Sequence, residues 1–331
     1  MNSFGDTFIF TSFGESHSAA IGGVLDGVPA GLHIDLDLIQ ANLDRRAGRN
    51  QLSQITHHKS SLGVSARAQR EEDSVEWLSG VIEQPMANGQ QPTAELVTLG
   101  TPIAFLIRNH DACPEDYEAF KHSFRQGHAD STYAAKYGIR DWRGGGRASA
   151  RETAARVVAG SLAQQMLADI GITIRAQLVQ VGAETNPGHF NEVIARYRAE
   201  GDSIGGIIRC EVTGLPVGLG EPIFDKLQAH LAYAILSINA CKGFDYGSGF
   251  DGVSQPGSIA NLQSGGLLGG ITDSTTLSFR CVFKPTPSTP KAGVKGRHDT
   301  CVAVRAVPVV EAMTALVLAN FMTIWQTDCH K

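Results

Sequence analysis

The chain carries one glycine-rich pattern twice, and this recurrence constrains its fold more than any other feature. Residues 21–24 and 204–207 each contain a central Gly-Gly pair within an apolar run. Each run is followed by a turn containing glycine and proline and then by a helical pattern, so both copies predict a strand, a tight turn and a helix. The offset of 183 to 187 residues is too long for a solenoid unit. The sequence therefore predicts two pseudo-repeats, at about 7–170 and 172–325, within a single domain of residues 1–331.

Hydrophobic periodicity predicts helices and strands that do not alternate as regular βαβ units. The spacing of apolar residues predicts helices over 150–170, 224–242 and 308–325. An α+β fold is therefore favoured over a doubly wound sheet. The last helix is apolar on nearly all sides, which predicts a buried position, and its apolar stretch 312–325 is shorter than a bilayer requires. The predicted strands are 7–12, 20–25, 103–108, 204–212 and 276–284.

Composition and charge argue against several classes of protein. With 331 residues, of which 42% are hydrophobic, the chain can bury a sizeable core. The net charge of −5 argues against a general nucleic-acid binder, which carries a basic face. The N-terminus lacks the pattern of a secretory signal, which predicts a cytoplasmic protein whose six cysteines are reduced core thiols. The polar, aperiodic segment 49–73 is predicted to be a functional or mobile loop.

The strongest chemical signal is an arginine-rich loop whose three consecutive glycines, 144–146, directly precede a predicted helix. Five arginines fall within residues 140–156 of an otherwise acidic chain. Glycine-rich turns expose backbone N–H groups, a helix start adds partial positive charge, and arginine forks bind phosphate or carboxylate. Ser149 can cap the helix or bind a phosphate oxygen. The loop predicts a cradle for a phosphorylated substrate or cofactor; the alternative is a solvated arginine face balanced by Asp141 and Glu152.

Three histidines lie in predicted loops beside glycine or arginine, at positions 17, 128 and 298. Histidine suits proton transfer near neutral pH, although a lone histidine is more often structural. Residues 14–18 lack the final glycine of a serine-hydrolase elbow, and no histidine pair has zinc-hydrolase spacing, so no metal site is predicted. No P-loop or dinucleotide fingerprint is present in the sequence. A second basic group, 45–49, either suits a helix C-terminus or makes another anion contact.

Together these loops resemble those of the chorismate synthase family. Five motifs occur in the family's order between residue 4 and about residue 320: FGESH at 13–17, GHAD at 127–130, GGGRASARET at 144–153, SINACKG at 237–243 and KGRHD at 295–299. The resemblance implies a lyase of the shikimate pathway, which makes the precursor of the aromatic amino acids. It would eliminate phosphate from 5-enolpyruvylshikimate 3-phosphate in 1,4-anti geometry to give chorismate. It also implies a need for reduced FMN without net redox change, with NADPH as a candidate reductant.

The resemblance also assigns roles to individual residues. It implies that His17 is the general acid towards the departing phosphate and that His128 lies at flavin N1. Ser16 and Asp299 would form a proton relay towards flavin N5. Positions matching family contacts to FMN are Arg147, Ala148, Ser149, Asn239, Ala240, Gly269, Lys284, Pro285, Thr286, Pro287, Ser288 and Arg297.

Four further arginines would serve substrate or NADPH. Arg46 matches a family contact to the dinucleotide or substrate, and Arg49, Arg140 and Arg151 could neutralise the phosphate and carboxylates of the substrate. The family architecture implied is a helical layer sandwiched between two antiparallel β-sheets. The implied assembly is a homotetramer, with no nucleic-acid or membrane partner.

The sequence departs from the family pattern in several loops. Ser18 stands where glycine is common, and Gln126 where proline is common. The usual Arg-Pro-Gly after Arg46 is missing, and segment 284–295 is shorter than in most members, which bears on assembly. Two rival functions use the same features. One is a phosphatase or phosphoryl-transfer enzyme built on the arginines and a histidine; the other is an RNA-binding Arg-Gly-Gly module, which the following helix and the negative net charge disfavour.

Overall fold

The structure is a computed structural model that describes residues 1–49, 73–85, 94–110, 112–293 and 299–328. Within these ranges the chain combines helices with antiparallel sheets, which confirms the α+β class. The predicted loop 49–73 lies almost wholly outside the described residues, as does Arg297.

Fourteen strands are present in the described part of the chain. They are β1 (Ser3–Phe4), β2 (Ile9–Phe13), β3 (Ala20–Asp26), β4 (His33–Ile34), β5 (Glu76–Ser79), β6 (Val81–Pro85), β7 (Ala94–Thr98), β8 (Ile103–Arg108), β9 (Thr173–Val181), β10 (Gly206–Thr213), β11 (Cys241–Tyr246), β12 (Leu267–Leu268), β13 (Ile271–Thr272) and β14 (Leu277–Phe283). The five predicted strands correspond to β2, β3, β8, β10 and β14, within two residues at each end.

Two larger sheets carry the two Gly-Gly strands. The first has the order β1-β2-β3-β8-β5 and the second β11-β14-β10-β9. Each Gly-Gly strand lies inside its sheet, β3 between β2 and β8, and β10 between β14 and β9. A three-stranded sheet, β4-β7-β6, and the β12–β13 hairpin complete the strand pairings of the described residues.

Alternating side chains explain why the second sheet buries one face. In β10, Ile208, Cys210 and Val212 are buried, whereas the intervening Arg209 and Glu211 are exposed. β14 has the same alternation, with Leu277, Phe279, Cys281 and Phe283 on the buried side. The period of two places apolar residues on one face of the sheet, against the helices.

Helices cover the inner faces of these sheets. They are α1 (Leu36–Ala47), α2 (Asp130–Tyr137), α3 (Thr153–Ala168), α4 (Phe190–Ala199), α5 (Leu227–Leu236), α6 (Gly257–Ala260) and α7 (Ala303–Asp328). α3 packs against α7, α1, β3 and β9, and α7 also contacts α5, β9 and β10. α3 contacts strands of both larger sheets and α7 contacts the second, so the core lies around these two helices.

The C-terminal helix α7 is buried, as its apolar pattern predicts. The helix extends beyond the predicted apolar stretch 312–325, and by length and composition residues 303–326 could cross a membrane. However, 89% of its most apolar window is buried inside the protein, which is typical of a core helix. Its Asn320 ties down the N-terminus, since Oδ1 accepts hydrogen bonds from the backbone N–H groups of Asp6, Thr7 and Phe8 at 2.8, 2.9 and 3.2 Å.

Three predicted helix boundaries were wrong: the end of α5 and the starts of α7 and α3. α5 ends at Leu236 rather than 242, because Ala240 adopts a left-handed φ of 67° and residues 241–246 pair with β14 as β11. α7 begins at Ala303, so Pro308 lies inside the helix rather than at its first position. α3 begins at Thr153 because a short 3-10 turn, Ala150–Glu152, occupies the predicted first turn.

The cysteines in the described residues are all free thiols. Cys210, Cys281 and Cys301 are buried in the core, and Cys113 and Cys241 are half-buried. Burial raises the pKa of the Cys301 thiol to about 11 and that of Cys210 further, which favours the unreactive protonated form. Cys329 lies outside the described residues.

Candidate active site

The glycines of the arginine-rich loop place two histidines side by side along one stretch of backbone. A Cβ at Gly144 would fall 2.2 Å from the His17 ring, and a Cβ at Gly145 would fall 2.6 Å from Cε1 of His128. Both glycines have positive φ, 61° and 90°, which side chains rarely adopt. The triple glycine therefore serves close contact with two imidazoles, a role that the sequence did not reveal.

His17 lies in the connection between β2 and β3, with its ring oriented by two neighbours. Ser16 Oγ is 3.0 Å from Nδ1, and the Tyr117 ring meets the imidazole edge-on at 5.2 Å between centroids. Ser16 is buried and its N–H donates to the carbonyl of Gly146 at 3.4 Å, which attaches this connection to the arginine-rich loop. The structure thus places the Ser16 hydroxyl against the His17 ring, whereas the resemblance had paired Ser16 with Asp299, and it adds Tyr117.

The unusual Ser18 stabilises the same connection. Its hydroxyl lies 2.8 Å from the carbonyl oxygen of Ala20 and 2.9 Å from that of Glu15, and it accepts from the N–H of Glu15 at 3.1 Å. The hydroxyl is therefore directed at local backbone. Where glycine would leave the backbone free to move, the Ser18 side chain fixes the turn through hydrogen bonds to the backbone, as serine commonly does in turns.

His128 is held by a buried ion pair. Its Nδ1 lies 2.9 Å from Oδ1 of Asp130, and the same carboxylate binds the Arg125 guanidinium through two hydrogen bonds of 2.8 and 2.9 Å. Burial alone would raise the pKa of Asp130, but hydrogen bonds from Arg125 and His128 outweigh it and hold that pKa far below its usual value. Asp130 is therefore an anion throughout the physiological range.

The five loop arginines divide into neutralised and unneutralised groups. Arg143 binds Asp141 at 2.8 Å and Arg156 binds Glu152 at 3.0 Å, so the alternative of balanced charges holds for these two. Arg147 differs, because its hydrogen bonds within the described residues go to neutral oxygens of Gly14 and Ser12. Its positive charge therefore remains available beside the His17 connection.

The other predicted cofactor positions converge on this loop from two directions. Asn239 Nδ2 donates to the carbonyl of Ala148 at 3.0 Å, and Ala240 follows in its left-handed conformation. Ser149 accepts from the N–H of Arg151 at 3.3 Å, which is the capping role foreseen from the sequence.

Segment 284–288 approaches from the end of β14 and reaches the His128 connection. Lys284 Nζ donates to the carbonyl of Gly127 at 3.1 Å, and a Cβ on Gly127 would lie 3.1 Å from Pro287. Thr286 is anchored through its carbonyl, which accepts from Ser203 Oγ at 2.7 Å. Ser288 is buried, and Pro285 precedes the Thr286 anchor.

Two buried polar atoms at predicted cofactor positions have no hydrogen-bond partner in the described protein. They are Oδ1 of Asn239 and Oγ1 of Thr286. Buried polar atoms are normally paired, so each of these needs an explanation such as a ligand. An FMN molecule, with its many donors and acceptors, fits this requirement.

A buried charge network lies behind the loop. Asp73, 1% exposed, binds Arg151 and lies 3.3 Å from Arg46, which is itself 1% exposed. Arg46 also donates to Thr153 Oγ1 at 3.1 Å, and Arg305 joins the Arg46 carbonyl, at 2.8 Å, to the Asp299 carboxylate, at 3.1 Å. Burial would raise the pKa of Asp73, but the surrounding arginines outweigh it and lower that pKa. Arg46 therefore points into the interior.

A cleft of about 20 Å³, enough for roughly one water, adjoins this network. Asp299, Asn239 and Arg46 are among its lining residues. The predicted relay residue Asp299 thus lines the same small cleft as the predicted cofactor residue Asn239.

Three predicted residues contact groups other than the two histidines in the described part of the chain. Arg49, which follows α1, binds Asp44 of that helix. Arg140 binds the carbonyl oxygens of Phe120 and Ser123, with its Nη1 buried and unpartnered in the described protein. Gly269 lies in the exposed turn between β12 and β13, and the next residue, Gly270, accepts from the N–H of Leu227 at the start of α5 at 2.9 Å.

No group of three or more His, Cys, Asp or Glu side chains suited to a metal ion is found within the described ranges.

The fold and site suit an enzyme that binds an anionic molecule beside two histidines. Comparison with known proteins makes this specific. The family model described as chorismate synthase matches residues 8–323.

Relatives and a solved structure agree with the family model. The chorismate synthases of Christiangramia forsetii and Phocaeicola vulgatus are 42% and 41% identical to the chain; the alignments cover 97% and 98% of it and 97% and 99% of the relatives. A crystal structure of chorismate synthase matches with a TM-score of 0.71 and 26% identity, over 97% of this chain and 93% of that one. The chain belongs to the chorismate synthase family, whose members are carbon–oxygen lyases.

Proposed function

We propose that the chain converts 5-enolpyruvylshikimate 3-phosphate into chorismate and inorganic phosphate, by 1,4-anti elimination that depends on reduced FMN. Membership of the family supports the reaction. The observation that carries it is the contact of Gly144 and Gly145 with His17 and His128, beside the unneutralised Arg147. This arrangement offers proton donors and a cation together, which the loss of a phosphate group requires.

The flavin would be held by the segments that converge on the loop. Asn239 and Thr286 offer the buried unpartnered oxygens. Lys284 lies on the segment of Thr286, and Arg147 and Ser149 lie on the arginine-rich loop that Asn239 contacts. Reduced FMN supplies, when bound, the transient electron density that weakens the bond to the leaving phosphate. Ala148, Ala240, Pro285, Pro287 and Ser288 would shape this site, and Arg297 and Gly269 would complete it.

The chain's own groups would manage protons and charge. His17, oriented by Ser16, would protonate the leaving phosphate, and His128 would stabilise the negative charge of the reduced ring. Asp299 would relay a proton beside the small cleft that it shares with Asn239.

The remaining arginines would act at two levels. Arg140, whose bonds go to carbonyl oxygens and whose Nη1 is buried without a partner in the described protein, and Arg49 would attract the substrate's carboxylates. Arg46 and Arg151 are joined to Asp73, so their contribution to substrate or NADPH binding would be to position the loop. NADPH would be the reductant if the chain reduces its own flavin.

We further propose the family's architecture and assembly for this chain. Contacts of α3 with β3 and β9 support a helical layer between the two larger sheets. The central positions of β3 and β10 support the internal duplication at 7–170 and 172–325 within a single domain, 1–331. A homotetramer in the cytoplasm is the assembly and location proposed.

The direct test is an anaerobic reconstitution. The full chain is mixed with photoreduced FMN and 5-enolpyruvylshikimate 3-phosphate, while chorismate absorbance and phosphate release are followed. Equal appearance of both products, absent with oxidised FMN, supports the lyase. Phosphate without chorismate supports the rival phosphatase, and neither product contradicts the proposal.

His17→Gln tests the assigned proton donor. Loss of a general acid costs about a hundredfold or more in turnover, while FMN binding, followed by flavin fluorescence, stays intact. His33→Gln is the matched control, because His33 lies on β4 and is exposed beside Glu95. Equal turnover in the two variants would remove His17 from the mechanism.

A further inference from the structure

Asp130 stands out because a fully buried carboxylate touches a proposed active-site histidine. Its side chain is 2% exposed and begins α2, and its Oδ1 lies 2.9 Å from Nδ1 of His128. The hydrogen-bond partner of His128 Nδ1 is therefore the Asp130 carboxylate. A carboxylate in this position sets both the orientation of an imidazole and the nitrogen that carries its proton.

Arg125 makes the carboxylate rigid. Its Nε and Nη2 donate to the two carboxylate oxygens at 2.9 and 2.8 Å, and its backbone N–H donates to Oδ2 at 3.1 Å. Three hydrogen bonds to one buried group leave it little freedom to rotate. The Asp130 carboxylate therefore holds His128 in one orientation.

The same contacts select the tautomer of His128. Arg125 Nη2 also lies 3.1 Å from Nδ1, so this nitrogen faces one donor and one anion. Without a hydrogen, Nδ1 would oppose its lone pair to the Asp130 anion at 2.9 Å; with a hydrogen, it donates to that anion. The charge-assisted bond is the stronger arrangement. Nδ1–H thus points at Asp130, and Nε2 is the nitrogen on the Gly145 side.

Among the charged groups around His128, Asp130 is the one that determines which ring nitrogen carries the hydrogen. Arg125 is positive, and Lys284 reaches the neighbouring Gly127 carbonyl from β14. Within the described ranges, Asp130 is the single anion that forms an ion pair with His128. Removing its charge would leave Nδ1 facing the Arg125 donor alone, which favours a lone pair on Nδ1 and the hydrogen on Nε2.

We propose that Asp130 is a positioning residue that keeps His128 in one orientation and one tautomer. This inference rests on the proposed function in one respect, namely that His128 faces the flavin. With Nδ1–H bound to Asp130, Nε2 is the nitrogen left to face it. The carboxylate acts through the histidine and need not contact the flavin.

The test measures His128 directly, in the full chain without flavin or substrate. NMR of the His128 ring nitrogens, assigned with a His128→Gln variant, reports which nitrogen carries the hydrogen in the unchanged protein and in Asp130→Asn. The hydrogen is expected on Nδ1 in the unchanged protein and to move to Nε2 in Asp130→Asn, where Arg125 still donates towards Nδ1. An unchanged His128 tautomer in folded Asp130→Asn would overturn the proposal.

A matched control comes from an exposed pair of the same kind. Asp225 lies 2.8 Å from Nε2 of His230, with Asp225 67% exposed. Asp225→Asn is expected to change the tautomer of His230 much less, because water can replace the lost partner of an exposed pair. Equal changes of tautomer in the two histidines would show that the buried geometry at Asp130 has no special role and would contradict the inference.

A second variant keeps the test decisive if Asp130→Asn does not fold. Asp130→Glu retains the charge but lengthens the side chain, so the ring is displaced. We expect the Nδ1–H tautomer of His128 to be retained with turnover at least tenfold lower, and normal turnover would overturn the positioning role. Because the NMR measurement needs no reaction, a chain that makes no chorismate but shows the change of tautomer in Asp130→Asn would refute the proposed function and retain this inference.

Discussion

Replacement of Asp73 by asparagine tests whether the buried charge network stabilises the fold. Asp73 and Arg46 are each 1% exposed, and Arg151 is 10% exposed. Asparagine keeps the shape of the side chain but removes the anion that both buried guanidinium groups contact. Removing one partner of a buried ion pair costs about 3–5 kcal/mol, against a total stability of about 5–15 kcal/mol.

The assay is equilibrium unfolding of the full chain in urea. With a slope of about 3 kcal/mol/M, a loss of 3 kcal/mol lowers the midpoint by about 1 M. Glu76→Gln is the control, because Glu76 pairs with Arg108 on the surface, where both side chains are nearly half exposed. Its midpoint should not change. An unchanged midpoint and slope for Asp73→Asn would refute the reasoning.

The pH dependence of the same difference gives a second check. Burial opposes ionisation of Asp73, but the neighbouring arginines prevail and its folded pKa is below the ordinary value of 3.8. A lowered folded pKa means that the stabilisation is complete above the unfolded pKa and is lost as pH falls through the folded pKa. The difference between the two proteins should therefore be constant above about pH 5 and shrink below about pH 4.

Three further outcomes follow from close contacts. Gly144→Ala should lower kcat about a hundredfold, because the new Cβ would clash with the His17 ring. Gly138→Ala is the control, because Gly138 also has a positive φ but has no atom within 4 Å of a Cβ, so kcat should not change. Equal losses of kcat would indicate that backbone strain alone is responsible. Asn320→Ala leaves three backbone N–H groups without their acceptor and should cost about 1–3 kcal/mol, seen as a lower Tm and faster N-terminal proteolysis. Gly160→Ala places a Cβ 2.3 Å from Ala312, where α3 packs against α7. We expect the free energy of unfolding, measured by calorimetry, to fall by about 1–3 kcal/mol. An unchanged free energy of unfolding would mean that the two helices can move apart without cost.

Much of the fold was predictable because its signals are local. The five strands and α3 follow from alternation and helical spacing, which depend on neighbouring residues. The end of α5 was missed because its apolar stripe continues to 238, and the left-handed Ala240 carries no sequence mark. Asp130 was visible within the GHAD motif, two residues after His128, but its role was not.

The sequence alone determined the family, through the order of its motifs, and which segments are candidates for the chemistry: the arginine-rich loop and the two histidine connections. Only the tertiary structure decided how those residues are used. Arg46, Asp73 and Arg151 are far apart in the chain, and their shared burial turns two predicted ligand contacts into one internal ion network. Gly144 and Gly145 are needed because histidines from distant loops pack against them. Turns and periodicity depend on a few consecutive residues, whereas burial and charge pairing depend on distances that only the folded chain sets.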